Sequence, residues 1–388
     1  MRRHLATLLI ATLLLSLMAV CATAQQTVPC VELHGYMQNR FYANEGYSAR
    51  FVTERVSLSA VGQLANDTTG YIEMYLHPWI TDRAFTNAFG NTVTGEQSRT
   101  YLESAYVDMP FAKGRLRFGK GRQLNFGMTP SYPNRKTSQY GILSETFTQD
   151  RIIGAQFDRK FGTFDVGASL YTDMQVETRK IGEFAGSTNT TIPPTPGAPT
   201  PANALVTTVQ HLCDREDAAN TSGRIAGSLR LGVTKPNYQY HFSGAVGQLQ
   251  QADANFIAQQ YNLAPTTNKS HSKYGFDGSV SSGPWVLQTE AYQGKFSFLT
   301  VTGYSVLAGY QPKDKTRAYI RWAAINNDRT PTNFQTTWNV QQLTVGVVQP
   351  ISKGVWIEVN YEDNLESPPP GQSSKKNDML FLEVFTGF

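Results

Sequence analysis

From Val31 onward the chain consists of short runs in which apolar and polar residues alternate, and the links between these runs are sorted by length. Short links sit near Asn66–Gly70, Ala112–Gly114, Phe161–Gly162, Pro236–Asn237, Gly283–Pro284, Pro312–Lys315 and Ser352–Gly354. Longer ones sit near Ala43–Ala49, Thr81–Ser98, Leu124–Thr148, Thr178–Thr221, Gln251–Ser272, Asp328–Thr337 and Asn364–Lys376. Strands that reverse direction at every link would put all the tight turns at one rim and all the long links at the other. A soluble sandwich has no reason to sort its loops this way. A barrel with one rim on each side of a membrane does. The runs number about sixteen, and closed barrels of this kind need an even count. The link near Phe296–Ser297 is short where a long one is due, so one hairpin of that count stays open.

Parity assigns the two faces. Successive residues of a strand point to opposite sides. Outward sets include Phe164, Val166, Ala168, Leu170; Tyr238, Tyr240, Phe242; Trp285, Leu287, Thr289; Ala318, Ile320, Trp322; and Val355, Ile357, Val359, Tyr361. The sets between them are polar: Asp165, Gly167, Ser169, Tyr171; Gln239, His241, Ser243; Gln288, Glu290, Tyr292; Arg317, Tyr319, Arg321; and Glu358, Asn360, Glu362. An apolar belt around a charged, wet interior defines the expected fold: an all-β, antiparallel transmembrane β-barrel. Outward Trp and Tyr near strand ends would form its interfacial girdles.

Composition agrees. Charged residues are 16%, against ~25% in soluble domains. The chain has 19 Tyr, 21 Phe and 32 Gly, and its mean hydropathy is −0.34. Beyond the amino terminus no apolar run approaches the ~20 residues of a spanning helix, so any membrane crossing is made by strands. The amino terminus itself has a short basic start, Met1-Arg-Arg-His4, an apolar stretch Leu5–Ala22, and the small-x-small triplet Ala22-Thr23-Ala24. This predicts a signal peptide over residues 1–24, cut before Gln25, leaving a barrel over 25–388. Val20 before Cys21 is not small, which argues against a lipoprotein.

The formal charge is +4, and losing Arg2 and Arg3 leaves +2. No basic, aromatic-interleaved cluster points to nucleic acid. Cys30 and Cys213 remain after the leader, with no C-x-x-C or zinc-type spacing, and the expected topology puts them on opposite sides of the membrane as unpaired thiols. No cofactor, metal site or catalytic set is expected. Pro193-Pro-Thr-Pro-Gly-Ala-Pro-Thr-Pro201 cannot be a strand, and predicts a long extracellular loop at about 178–221.

The stretch expected to carry function is Arg115-Leu-Arg-Phe-Gly-Lys-Gly-Arg122. Arg115 and Arg117 share one face, and the strand runs into the link Leu124–Thr148 with Arg135, Lys136 and Glu145. A ladder of basic groups in a narrow passage attracts anions and repels cations. The other reading is that these charges pair with lumen Asp and Glu and hold the loop in place. Tyr106, Asp108, Glu290, Arg317 and Arg321 complete the expected lining.

The closing segment Met379-Leu-Phe-Leu-Glu-Val-Phe-Thr-Gly-Phe388 resembles the last strand of bacterial outer-membrane barrels, whose terminal Phe serves the barrel-assembly machinery. More widely, the chain resembles the phosphate-selective porin O and P family. The matching pieces are His34-Gly-Tyr-Met-Gln-Asn-Arg40, Ala105-Tyr-Val-Asp108 with Leu116-Arg-Phe-Gly-Lys120, Asp150-Arg-Ile-Ile-Gly-Ala-Gln156, Gly303-Tyr-Ser-Val-Leu-Ala-Gly-Tyr310 and Phe388. The resemblance implies a sixteen-stranded, usually trimeric barrel in the outer membrane, with a constriction loop after the fifth strand, here about 124–148. It implies passage of small hydrophilic or anionic solutes such as phosphate or organic acids. The lysine cluster of the phosphate-selective members is reduced here to Arg135-Lys136. Two alternatives stand beside this: an outer-membrane hydrolase, for which His34, His77, His211, His241 and His271 are scattered, and a structural or adhesive barrel that binds a partner through its loops.

Overall fold

A computed structural model describes residues 30–44, 47–77, 85–86, 92–93, 99–128, 141–148, 151–172, 224–249, 251, 254–255, 258, 263–312, 315–328, 339–367 and 378–388. Sixteen antiparallel strands close into one barrel. In chain order they are β1 (Cys30–Asn44), β2 (Tyr47–Gln63), β3 (Thr69–His77), β4 (Arg99–Phe111), β5 (Gly114–Arg122), β6 (Arg151–Phe161), β7 (Phe164–Thr172) and β8 (Ile225–Lys235). The second half is β9 (Tyr238–Gln248), β10 (Ser270–Ser282), β11 (Trp285–Phe296), β12 (Leu299–Tyr310), β13 (Arg317–Asn327), β14 (Asn339–Ser352), β15 (Val355–Ser367) and β16 (Met379–Gly387). Each strand pairs with its chain neighbours, and β16 pairs with β1. A helical turn, α1 (Ile142–Phe147), lies between β5 and β6. A separate two-residue ladder joins Phe85–Thr86 to Thr92–Val93.

The expected sorting of links holds with one correction. β1 runs to Asn44 and β2 starts at Tyr47, so most of Ala43–Ala49 is strand rather than a long link. The Phe296–Ser297 hairpin is real: β11 and β12 pair from Phe296↔Leu299 onward, with Ser297 at φ 61 in the turn. That settles the count at sixteen. At the tight-turn rim, Ala112 (φ 48) and Lys113 (φ 62) both take the left-handed conformation that a two-residue hairpin with matching twist requires. Residues 1–24, where a signal peptide is expected, the whole of the expected loop at 178–221 and Cys213 lie outside the described residues, and among the described residues Cys30 is an exposed free thiol.

The parity reading holds on the strands to which it assigns faces. Leu33, Phe118, Leu170, Phe242, Trp285, Ile320, Val359 and Leu382 are exposed on the outer surface, while Gln38, Ser169, His241, Tyr319, Asn360 and Glu383 are buried inside. Exposed apolar groups in a continuous belt need a lipid or protein cover. Aromatic pairs mark the tight-turn rim: Trp285 packs on Tyr310 with centroids 4.9 Å apart, and Tyr238 stacks along Tyr240.

The barrel closes at the seam between β16 and β1. Nine residue pairs run from Tyr36↔Gly387 to Asn44↔Met379. Beyond them Phe388 exchanges two backbone hydrogen bonds with Gly35, both 3.0 Å. Gly35 has no alternative here, because a Cβ would stand 2.5 Å from the Phe388 ring. On the inner side of the seam the buried Arg40 is ion-paired with the buried Glu383, which also accepts a 3.0 Å hydrogen bond from Gln38. Gly35→Val is expected to unseat the Phe388 ring and lower stability by about 1–3 kcal/mol, the usual cost of overpacking. The urea midpoint of the refolded protein checks it, and an unchanged midpoint would show that the ring's seat contributes nothing to closure.

Candidate functional site: the loop inside the barrel

The described residues between β5 and β6 lie inside the barrel, against its inner wall. The roots of this segment are fixed first. Arg122 at the end of β5 and Arg151 at the start of β6 are direct cross-strand partners, a like-charge pair that would repel. Glu103 of β4 answers both: Arg151 Nε donates to its two oxygens at 3.0 and 3.1 Å, and Arg122 Nη2 lies 3.4 Å from Oε1. Plain alternation from the inward Tyr106 and Ser104 would point Glu103 outward, on the side of Ala105 and Val107. The β3–β4 register slips there, with Glu73 opposite Ser104 and Met74 opposite Leu102, so Glu103 is the extra residue of a bulge and turns inside.

From its root the chain lies across the inner wall of β6 to β11, over a track of small and polar side chains. Leu124 N donates to Gln156 Oε1 at 2.7 Å, and Gln156 Nε2 donates back to the Arg122 carbonyl at 2.8 Å. Asn125 Nδ2 donates to Ala168 O and Ser169 Oγ, both 2.9 Å. Gly127 N donates to Ser243 Oγ at 3.2 Å, and Met128 N donates to the Tyr292 hydroxyl at 3.2 Å. Tyr292 in turn donates to Glu290 Oε1 at 2.9 Å.

The return half sits on an apolar seat. Ile142, Leu143 and Phe147 of α1 pack with Phe126 against the inward faces of β11 to β14: Tyr292, Phe296, Leu299, Val301, Ala323, Ile325 and Val340. This is a hydrophobic core inside the barrel, and it explains why these strands carry apolar residues on the lumen side near the long-loop rim. Gly303 makes room for it, since a Cβ there would stand 2.5 Å from Leu143 Cδ1. Lys273 caps the end of α1, donating from Nζ to the Phe147 carbonyl at 2.7 Å with its ammonium 4.4 Å from the Phe126 ring centroid. Arg321 flanks Gly141 at the start of α1 and donates to Thr344 Oγ1 at 3.0 Å, with Glu362 3.8 Å away.

The other wall is charged. Arg115 Nε donates to Asp108 Oδ1 at 2.6 Å, and Arg117 Nη2 donates to Asp108 Oδ2 at 3.1 Å. Arg117 also lies over the Tyr106 ring at 3.9 Å, and Tyr106 stacks on Tyr71 at 5.0 Å. Asp158 is the register partner of Arg115. The two arginines therefore do not form a bare ladder, because each already has a carboxylate. Farther along, Arg230 Nη2 donates to Asp277 Oδ1 at 2.6 Å.

The expected lining residues thus separate. Arg115, Arg117, Tyr106 and Asp108 come together on one wall. Glu290 and Arg321 help to hold the loop, and Arg317 lies over the Trp356 ring at 6.0 Å. Arg135 and Lys136 lie outside the described residues, as does the side chain of Glu145 within α1. Sequence reading missed Glu103, Arg122, Arg151, Lys273 and the Tyr292 hydroxyl as loop fasteners. Arg122 and Arg151 flank the loop in sequence, and that much was a usable signal.

Comparison with solved structures places this architecture among outer-membrane barrels. Salmonella typhi OmpF in complex with daunomycin superposes with a TM-score of 0.60 at 11% identity, over 92% of this chain and 97% of that one. The outer-membrane channel DcaP of Acinetobacter baumannii gives 0.57 at 11% identity, over 94% and 99%. The trimer form of Vibrio cholerae OmpT, an outer-membrane protein, gives 0.55 at 12% identity, over 93% and 100%. No protein-family profile and no curated protein sequence matches the chain. At these identities the likeness is one of fold.

Glu103→Gln removes the shared carboxylate and leaves two guanidinium groups facing each other, so the loop roots are expected to loosen by about 3–5 kcal/mol, as when a buried ion pair loses one partner. Hydrogen exchange of the amides at 123–127 should accelerate by at least about a hundredfold. Unchanged exchange at those amides would remove Glu103 from the account of the loop.

Proposed function

We propose that this chain is a porin-like channel of the bacterial outer membrane, through which small hydrophilic solutes diffuse passively and in which no reaction is catalysed. The observation that carries this reading is a loop folded inside a closed barrel, rooted beside a wall of paired charges and seated on an apolar one. Such an arrangement narrows a wet passage while keeping its surface polar. The likeness in fold to OmpF and DcaP supports it. The leader at residues 1–24 would export the chain, and Phe388 would present it to the barrel-assembly machinery. The exposed apolar belt would meet outer-membrane lipid. A homotrimer is the assembly we propose, as the trimer form of OmpT supports.

Arg115 and Arg117 are where an anion such as phosphate or an organic acid would be drawn in. Their shared contact with Asp108 keeps that preference small. A passage whose cations each face a carboxylate presents little net field to either sign of ion.

Single-channel current of the refolded protein in a planar bilayer under a salt gradient tests both parts. Stable current steps with a reversal potential slightly toward the anion side are expected. The double change Arg115→Glu with Arg117→Glu places three carboxylates together with Asp108 and should move the reversal potential clearly toward cations. A folded barrel that carries no current would sink the channel reading. An unmoved reversal potential would remove β5 from the selectivity of the pore.

A further inference from the structure

We propose that His241 decides where Arg230 points, and so makes the ion preference of the passage depend on pH; this rests on the channel reading above. His241 sits on the inner face of β9, buried, with its ring over Gly232 of β8. A Cβ at Gly232 would lie 2.4 Å from the imidazole Cδ2, so the ring occupies the space a side chain would take. Nδ1 lies 2.9 Å from Arg230 Nη2. A guanidinium has donors and no acceptor. Nδ1 must therefore carry its lone pair, and the ring proton is on Nε2. That nitrogen faces Asp165 Oδ2 at 3.3 Å and Thr234 Oγ1 at 3.4 Å.

The surroundings can accommodate a second ring proton. Asp277 of β10 is fully buried, and its Oδ1 lies 3.4 Å from His241 Nδ1 while accepting from Arg230. Among the described residues Asp277 Oδ2, Asp165 Oδ1 and Arg230 Nε have no hydrogen-bond partner. The other charged groups nearby are Lys160 of β6, 3.9 Å from Asp165, and Glu290 of β11, the register partner of Asp277. Asp158 of β6 is within electrostatic reach of Arg230 and Asp165.

Protonation at Nδ1 sets an N–H against the N–H of Arg230, two cationic donors where one donor–acceptor pair stood. The new N–H has Asp277 Oδ1 to bind, and Nε2–H keeps Asp165. Arg230, whose side chain is 20% exposed and already reaches the lumen, loses the imidazole and turns further into the passage toward Asp158. The wall gains one positive charge, and a guanidinium becomes more available to passing ions, so anions are favoured as pH falls.

The test is the reversal potential under a potassium chloride gradient at a series of pH values between about 8 and 5, the span in which histidine as a residue type changes charge. In the full chain the anion-to-cation permeability ratio should rise at least about twofold across that span. His241→Asn, whose amide oxygen can still accept from Arg230 but cannot titrate, should lose that rise. Arg230→Gln should reduce it by more than half while leaving His241 titratable. A rise in His241→Asn equal to that of the unaltered chain overturns the proposal, and an undiminished rise in Arg230→Gln overturns the part assigned to Arg230. Nitrogen NMR of histidine-labelled protein in detergent, with His241→Asn as the assignment control, reads the ring without requiring conduction. A proton on Nε2 alone at pH 8 and on both nitrogens at pH 5 is expected. Nδ1 protonated at pH 8 overturns the switch even in a conducting barrel, whereas absence of current with the expected NMR result fails the channel reading.

Discussion

A sheet whose outer face is apolar cannot leave an edge, because an unpaired row of N–H and C=O groups set in hydrocarbon has nothing to bind. Everything else in the architecture depends on meeting that constraint at one place, the seam between β16 and β1. The last residues of the chain do it. Ladder pairs run to Gly387, and Phe388 adds two more backbone bonds to Gly35. The terminal ring then occupies the space that Gly35 leaves on the outer side, while Arg40, Gln38 and Glu383 tie the same two strands from inside. One seam thus carries both of the sheet's chemistries: an apolar contact on the lipid side and a charge-assisted one on the lumen side.

Closure creates an interior that must itself be satisfied. Its two walls do so by opposite means. On β11 to β14 the inward residues near the long-loop rim are apolar, and α1 covers them as a small core would. From β4 to β10 they include charged groups, and three carboxylates are shared: Asp108 between two arginines, Glu103 between two more, Asp277 between Arg230 and His241. The loop connects the walls. It leaves from the charged one, where Glu103 neutralises its roots, and ends on the apolar one. Its two described ends are therefore fixed by two different interactions, one ionic and one apolar.

How much of this could be read in the sequence follows from the range of each interaction. Strand faces depend on neighbours two residues apart, so Val355–Tyr361 and Phe164–Leu170 were assigned correctly from parity. The tight hairpin at Ser297 broke the pattern of link lengths yet was present in the spacing. The link expected at Ala43–Ala49 fails for a different reason: its polar, glycine-containing residues read as a loop, but the β1–β2 ladder runs on to Asn44↔Tyr47. The site was less legible because it depends on register. That Arg115 and Arg117 are neutralised by Asp108 requires knowing that Asp108 stands opposite Arg117. Glu103 is the sharper case, because a single bulged residue reverses its face, and parity gives the wrong side there. Lys273 and Tyr292 are ordinary inward residues in sequence and become fasteners only once the loop is laid over them.

The pairing of charges inside the barrel also limits what can make such a passage selective. An isolated charge in a narrow, poorly solvated space is costly, so lumen charges come with partners. A tight pair, however, presents a dipole rather than a charge, and its influence on a passing ion fades quickly with distance. Selectivity must then come from the groups whose pairing is incomplete or changeable. Arg117 keeps a buried Nε with no hydrogen-bond partner among the described residues, and so does Arg230. Arg117 is held by Asp108 and by the face of Tyr106. Arg230 is held partly by the imidazole of His241, a kind of group that can turn from acceptor to donor. Of two similar arginines on the same wall, the one with the titratable neighbour is the one whose field the environment can alter.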